Sequence, residues 1–297
     1  PPLERLIRMG WDALDTLRNE PITLDKVARD AREAIESARK GILDETSLKG
    51  FTFEAPMDNA TAANVELELS VGESFIRALD ADAVQLLAAD LTYLGSLSFG
   101  VSGDTQRHVY LRQSTQITVG WANPVHWTRR PNWTIGLSRK LPLDLRVQGG
   151  VGDADINLSG LNLQALRVDG NIGNMNITLA ESKMAYAANI RGAAGGVALN
   201  IPEGANANVS LRGGVGGLAI NVAPNAAVQL NLASGVGKTI MTPGFNRTEA
   251  AAPMLSNTRV WETENYGTST QRVLINVADG MVGNVRVRVL ESDALTS

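Results

Sequence analysis

The sequence predicts a mainly β protein, a single-stranded parallel β-helix of about 21 residues per coil preceded by two α-helices. Three observations lead to this prediction. Glycine-containing segments recur at a nearly constant interval, apolar and polar residues alternate inside each segment, and the first 50 residues show helical spacing instead. Self-similarity at a fixed short period is the sequence signature of a solenoid, in which each repeat packs only on its neighbours.

The repeat is clearest in residues 147–289, where each copy combines an apolar residue, a glycine-rich corner and an alternating strand. The anchoring glycines of the copies are Gly152, Gly173, Gly195, Gly216, Gly237 and Gly283. Successive anchors are 21, 22, 21, 21 and 46 residues apart. The last interval is close to two coils, so we expect a degenerate coil in residues 242–272. Upstream, looser copies around Gly72, Gly95 and Gly120 extend the predicted solenoid.

Inside each copy, the residues two, four and six positions after the corner glycine are small or apolar, as in Leu218, Ile220 and Val222. We predict that they point inward, because successive residues of a strand face opposite sides of the sheet. The residue five positions after the glycine is polar in four successive copies. These ladder residues are Asn157, Thr178, Asn200 and Asn221. Coils stacked about 4.8 Å apart bring such side chains within hydrogen-bonding reach of one another.

Residues 1–50 are predicted to form an amphipathic helical arm, and residues 51–297 to form the β-solenoid domain. The apolar face of the first helix follows two prolines and has mainly helical spacing. Its residues are Leu3, Leu6, Ile7, Trp11, Leu14 and Leu17. Pro21 interrupts this helix, Thr23 is suited to cap a second one, and Gly41 ends it. An apolar stripe of this size is not stable when exposed to water, so we expect it to bind a protein partner, a second copy, a membrane surface or an end of the solenoid.

Composition excludes several classes of protein. The net charge is -4 with no long run of one sign, so nucleic acid is not an expected partner. The chain has no cysteine, which excludes disulfides, thiolate zinc sites and iron–sulfur clusters. No run of about 18 apolar residues is present to span a bilayer. Because the chain opens on Pro1 and not on methionine, we expect that processing or truncation removed an upstream segment.

Two glycine-rich segments resemble ligand-binding motifs but fit the repeat better. Residues 235–239 match the end of a phosphate-binding loop, yet Leu232 stands where that motif requires its first glycine. The glycine-rich segment that contains Asp153 and Asp155 resembles calcium-binding nonapeptide repeats, although the period here is 21 residues instead of nine. We therefore expect no cofactor and no tight metal site, and leave open a weak calcium ion on the solenoid face.

One aromatic and basic segment is a candidate interaction loop. Trp127 is followed closely by Arg129 and Arg130, and interfaces favour tryptophan and arginine. These three residues are candidates for binding a glycan or a partner protein. The two histidines, His108 and His126, show no metal-ligand spacing and are expected to be structural.

Four segments of the sequence are similar to sequences of a known family. They are Trp133–Leu137, Leu141–Val147, Gly149–Asp153 and Asn157–Leu161. They resemble the bacterial toastrack β-repeat proteins, which are related to adhesin-like domains and to the C-terminal part of LiaF-type cell-wall stress proteins. The resemblance covers roughly residues 60–290. It implies a β-helix in a membrane-associated protein of the bacterial cell envelope, and it supplies no catalytic residues.

Three hypotheses about function follow. The preferred one is a non-enzymatic structural or interaction protein of the cell envelope, used for scaffolding, adhesion or assembly with a partner through the N-terminal helices. The alternative is a LiaF-like module that regulates the response to envelope stress. The third is a carbohydrate-active β-helix enzyme, which needs clustered acids, whereas Asp153 and Asp155 have no acidic partner in the repeat alignment.

Overall fold

The computed structural model describes residues 48–69, 71–93, 95–114, 131–233, 237–248, 258–278 and 281–291. Every regular element in these ranges is a β-strand, which confirms the mainly β prediction. The two predicted helices lie outside the described residues. In the described ranges no helix is long and apolar enough to cross a membrane.

The described residues form 23 strands, numbered in chain order. They are β1 (Lys49–Pro56), β2 (Ala62–Glu68), β3 (Glu73–Ala78), β4 (Gln85–Tyr93), β5 (Ser96–Ser102), β6 (Gln106–Ser114), β7 (Asn132–Leu137), β8 (Leu143–Gln148), β9 (Ala154–Asn157), β10 (Leu163–Ile172), β11 (Met175–Thr178), β12 (Tyr186–Ala194), β13 (Val197–Ile201), β14 (Ala207–Arg212), β15 (Gly214–Val215), β16 (Leu218–Val222), β17 (Val228–Leu232), β18 (Thr239–Met241), β19 (Phe245–Thr248), β20 (Arg259–Thr263), β21 (Val273–Val277), β22 (Met281–Val282) and β23 (Val285–Val289).

The strands form two sheets that share one core. The front sheet has the order β1-β4-β7-β3-β9-β11-β13-β16-β23-β18, and the back sheet has the order β19-β20-β17-β21-β14-β12-β10-β8-β2-β6-β5. Each coil contributes a strand to the back sheet, turns at a corner and contributes the next strand to the front sheet, as in β10 followed by β11. Neighbouring coils are parallel and in register, with Val168 opposite Ile190 and Ile177 opposite Leu199. This arrangement is that of a solenoid.

The core consists of the inward side chains of both sheets. Leu199 and Ile220 from the front sheet and Val168 and Val209 from the back sheet are fully buried in one continuous cluster. Their neighbours along each strand face outward, which explains the strict alternation in the sequence. Burial on one face therefore determines the register of every coil, since a slip of one residue would move the whole apolar set into solvent.

The corner glycines lie in one column, and their order there differs from their order in the chain. A Cβ on Gly283 would lie 2.6 Å from the carbonyl carbon of Gly216, and one on Gly237 would lie 3.0 Å from that of Gly283. The last coil, β21 and β23, is thus inserted between the coil of β14 and β16 and the coil of β17 and β18. At the other end, the coil of β2 and β3 likewise lies between that of β6 and β7 and that of β8 and β9.

The expected degenerate coil in residues 242–272 is wrong. The described part of this range forms β19 and β20, which pair antiparallel and extend the back sheet beyond β17. At the opposite end β1 and β4 pair antiparallel in the front sheet, and β5 pairs antiparallel with β6 in the back sheet. Antiparallel strands therefore cover the ends of the parallel stack, where unpaired strand edges would otherwise be exposed.

The three upstream glycines, Gly72, Gly95 and Gly120, differ in their position relative to the corner column. Gly72 belongs to the corner column, because a Cβ on Gly152 would lie 2.8 Å from its carbonyl carbon. Gly95 has a φ of 82° and connects β4 of the front sheet to β5 of the back sheet, both of which pair antiparallel with their neighbours, so it does not belong to a parallel coil. Gly120 lies outside the described residues.

Candidate interaction surfaces

The outer face of the front sheet carries a column of hydrogen-bonded side chains. The Asn200 amide donates to Thr178 Oγ1 over 3.2 Å, and the Asn221 amide donates to Asn200 Oδ1 over 2.6 Å. Arg288 of the inserted last coil continues the column by donating from Nε to Asn221 Oδ1 over 2.6 Å. Asn157 instead accepts a hydrogen bond from a backbone N–H within its own turn. The column thus joins four coils on the solvent side of the sheet.

A second column involves the two aspartates of the glycine-rich segment. Asp153 Oδ1 accepts a hydrogen bond from the backbone N–H of Asn174 over 2.8 Å, and Asp155 Oδ1 accepts one from the Asn176 amide over 3.1 Å. Both carboxylates therefore bind groups of the adjacent coil. Among the described residues, no group of three or more acidic or histidine side chains is arranged to hold a metal ion.

A shallow groove of about 740 Å³ crosses the front sheet from β3 to β18. Its lining includes small apolar residues, amide side chains, Arg286 and the three carboxylates of Glu73, Asp153 and Asp155. Phe75 and Ile240 lie at its two ends and are 37% and 41% exposed. The described lining residues include no histidine, lysine or tyrosine. The groove thus offers hydrogen bonds and apolar contacts, which suit binding of an extended ligand.

Three aromatic rings close the end of the stack at which the described chain begins. The ring centroid of Phe99 lies 5.1 Å from that of Phe51 and 4.6 Å from that of Phe53. Phe51 and Phe53 belong to β1, the edge of the front sheet, and Phe99 belongs to β5, the edge of the back sheet. Phe99 is still 43% exposed. Because β1 begins at Lys49, residues 1–48 join the solenoid at this end.

Most residues singled out for interaction lie outside the described ranges. They are Leu3, Leu6, Ile7, Trp11, Leu14, Leu17, Trp127, Arg129 and Arg130, together with His126. The other histidine, His108, lies on β6, and its ring centroid is 6.3 Å from that of Tyr110.

The described part of the segment that resembles a phosphate-binding loop, residues 237–239, lies at a coil corner. Gly237 lies at the end of the corner column, and Thr239 begins β18. A phosphate-binding loop leads from a strand into a helix, whose N-terminus helps to bind the phosphates. Here the described residues lead into a strand, so the helical part of such a site is not formed by them.

Sequence reasoning missed one group of charged residues on the back sheet. Arg146 and Arg167 both lie six positions before a corner glycine, and Arg191 and Arg212 both lie four positions before one. These two offsets, each present in two successive copies, are a signal that could have identified arginines on the outer face of four successive strands. The same alignment gives no sign of how the four side chains are oriented.

Comparisons with known proteins find a matching family and a solved structure of similar fold. Residues 44–200 match the family described as the N-terminal domain of toast_rack, DUF2154. The crystal structure of a candidate cell adhesion protein from Clostridium sporogenes aligns with a TM-score of 0.54 at 17% identity, covering 82% of this chain and all of that one. A candidate adhesin from Bacteroides fragilis aligns with a TM-score of 0.25 at 12% identity, covering 82% of this chain and 98% of that one. A search of curated proteins gives no match.

Proposed function

The chain belongs to the family of the toast_rack N-terminal domain, and we propose that it is a non-enzymatic structural and interaction protein of the bacterial cell envelope. In this proposal the β-solenoid is a rigid body used for scaffolding or adhesion. Residues 1–50 attach it to a protein partner, a second copy or a membrane surface. The fold shared with the Clostridium sporogenes protein, which is described as a candidate for cell adhesion, supports this class of function.

The position of the first strand is the observation that carries the proposal. β1 is the outermost strand of the front sheet at one end of the stack, so the N-terminal segment is connected to that end and not to a face. Attachment there leaves the outer faces of both sheets and the groove between Phe75 and Ile240 available for a ligand. Such an arrangement suits a body that is anchored at one end and binds along its length.

The shared core supports the rigidity that this role requires. The front and back sheets bury one continuous apolar cluster along the whole stack, and hydrogen-bonded side chains join successive coils on the outside. Solenoids of this kind present extended surfaces, because each coil repeats the geometry of its neighbour. The repeated surface can therefore bind a ligand that also repeats.

The test substitutes the apolar stripe in the full chain. Leu6→Glu combined with Leu14→Glu is compared with Arg29→Gln, which changes a charged position of the second predicted helix. Solution mass is measured by light scattering, membrane association by co-sedimentation with lipid vesicles, and stability by thermal melting. We expect the double variant to lose assembly or membrane association while its melting temperature stays that of the parent.

The opposite result identifies the segment as a cap of the solenoid. If the double variant aggregates or melts far below the parent, residues 1–50 cover the end near Phe99, and attachment through them is refuted. A chain starting at residue 48 gives the same distinction without new charges, because this cut leaves β1 intact.

A further inference from the structure

The back sheet holds a row of arginines arranged around one buried carboxylate. Asp169 is only 8% exposed although it lies on the outer face of β10. Its Oδ2 lies 2.5 Å from Arg167 Nε and 4.0 Å from Arg146 Nε, and its Oδ1 lies 3.5 Å from Arg191 Nε. Asp169 therefore draws together three guanidinium groups from three neighbouring strands.

The geometry of these pairs leaves most of each guanidinium free. All three arginines approach Asp169 through Nε, and among the described residues none of their terminal amino groups has a hydrogen-bond partner. The three side chains remain between 43% and 51% exposed. Two amino groups of one guanidinium match the two oxygens of a carboxylate, sulfate or phosphate. The cluster thus presents oriented donors to an anion.

Strand register extends the cluster into a stepped row, in which the second pair of arginines is displaced by two residues because Arg191 is opposite Asp169 and not Arg167. Arg146 is opposite Arg167, and Arg191 is opposite Arg212 on the next strand. Arg212 Nε is bonded to Ser210 Oγ over 3.3 Å, which orients it along the same face. Four strands spaced about 4.8 Å apart make a row of roughly 14 Å along the solenoid axis.

The charge of this row contrasts with that of the whole protein. Four arginines, Asp169 and Asp144 on the outer face of β8 give a local charge of +2, whereas the whole chain has a net charge of -4. On one side the row ends at Glu66 and Glu68 of β2, both of which bind Arg112. On the other side the next strand presents Asn276, which is uncharged and lies opposite Ser210. The excess of positively charged residues on the outer face of the back sheet therefore lies on β8, β10, β12 and β14.

We propose that this row binds a linear acidic polysaccharide, whose carboxylate, sulfate or phosphate groups follow one another along the chain. The outward residues beside the arginines are polar, such as Gln148, Asn189 and Asn208, and one of them, Asp144, is acidic, so the face has no apolar anchor for a lipid bilayer. These neighbours also provide no aromatic ring on which a nucleic acid base could stack. A hydrated polyanion is the ligand that fits. The site uses none of residues 1–50, so the inference is independent of the attachment proposed above.

The test measures binding of oligogalacturonate, which has a carboxylate on every sugar, to the full chain by titration calorimetry. Arg167→Gln with Arg191→Gln is expected to weaken binding by about tenfold or more, since each arginine supplies charge-assisted hydrogen bonds. The slope of log K against log salt concentration should also fall by about 1.5, because two anionic contacts are lost. The matched control is Arg77→Gln with Arg247→Gln, which removes the same charge from exposed positions elsewhere and should have little effect.

Several results would overturn the inference. They are an absence of oligogalacturonate binding to the unsubstituted chain, equal losses in the two double variants, and equal or tighter binding of anionic vesicles or single-stranded DNA. If the Arg167 and Arg191 variant does not fold, Arg146→Gln replaces it, because Arg146 is the most distant from Asp169 and the most exposed of the three. Solution mass stays unchanged in all these variants if the N-terminal attachment is correct, so failure of one proposal is distinguishable from failure of the other.

Discussion

Gly195→Ala is expected to be among the most damaging single-atom changes in the solenoid. Gly195 has a φ of 150°, a conformation essentially restricted to glycine. An added Cβ would lie 2.6 Å from the carbonyl carbon of Gly173 in the neighbouring coil, and closer still to its oxygen. The methyl group therefore cannot be accommodated by a side-chain rotation, because the atoms that it meets are backbone.

The magnitude has two parts. Holding alanine at this φ costs about 1–3 kcal/mol, and inserting a methyl group into a closely packed site costs a further 1–3 kcal/mol or so. The free energy of unfolding should fall by about 4 kcal/mol, which corresponds to a melting temperature roughly 10 °C lower for a domain of this size. The loss arises because the added methyl group forces apart two coils whose strands are hydrogen-bonded on both sides of the corner.

The adjacent residue provides the control. Gly196 has no positive φ, and a Cβ there would lie 3.1 Å from Oδ1 of Asn174, an exposed side chain whose only bond to this corner among the described residues is the one accepted from the Gly196 N–H. Gly196→Ala should therefore change the free energy of unfolding by no more than about 0.5 kcal/mol. Urea unfolding of both variants, followed by circular dichroism, measures the difference. Equal and small losses for the two would refute the close stacking of corners on which the coil order rests.

Three further predictions concern the core, a buried phenol and the glycine-rich segment. Leu199→Asp places an unpaired carboxylate at a fully buried position and should lower the free energy of unfolding by several kcal/mol. Asn200→Asp loses only the hydrogen bonds that the amide donates on the outer face and should lower it by about 1–2 kcal/mol. Thermal melting of the two variants measures the difference. Burial raises the pKa of Tyr186 above its usual value, so its contribution to stability is complete below pH of about 10 and is lost as the pH rises further. Urea unfolding at increasing pH should accordingly show a smaller alkaline loss for Tyr186→Phe than for the parent, and an equal loss would contradict the assignment. Calorimetric titration with ATP–Mg²⁺, Ca²⁺ or Zn²⁺ should show nothing tighter than millimolar binding, and micromolar binding abolished by Lys238→Ala would show that the corner at Gly237 binds phosphate.

The toastrack resemblance and the mainly β class were predictable because both depend on local pattern. Alternation in segments such as 218–222 indicates which residues face the core, and Leu218, Ile220 and Val222 are indeed buried. The recurring glycines indicate corners, because the coil backbones approach too closely there for a Cβ. Each of these features is specified within one repeat and needs no knowledge of where the other repeats lie.

The candidate surfaces were less predictable because each combines residues that are distant in sequence. Phe51 and Phe99 meet only because β1 and β5 are the edges of different sheets at the same end of the stack. Arg288 reaches Asn221 only because the last coil is inserted beside β16. No spacing in the sequence encodes these contacts.

By itself, the sequence determined the repeat, the inward and outward positions and the corners of this protein. Only the tertiary structure decided the order of the coils, because near each end of the stack one coil lies between two coils that are consecutive in the sequence. The physical reason lies in the repeat: every coil presents nearly the same strand edges and the same apolar width, so pairing with any neighbour satisfies the local pattern equally well. The choice between equivalent neighbours, like the pairing of the antiparallel strands that cover the two ends, depends on long-range interactions that the periodicity does not record.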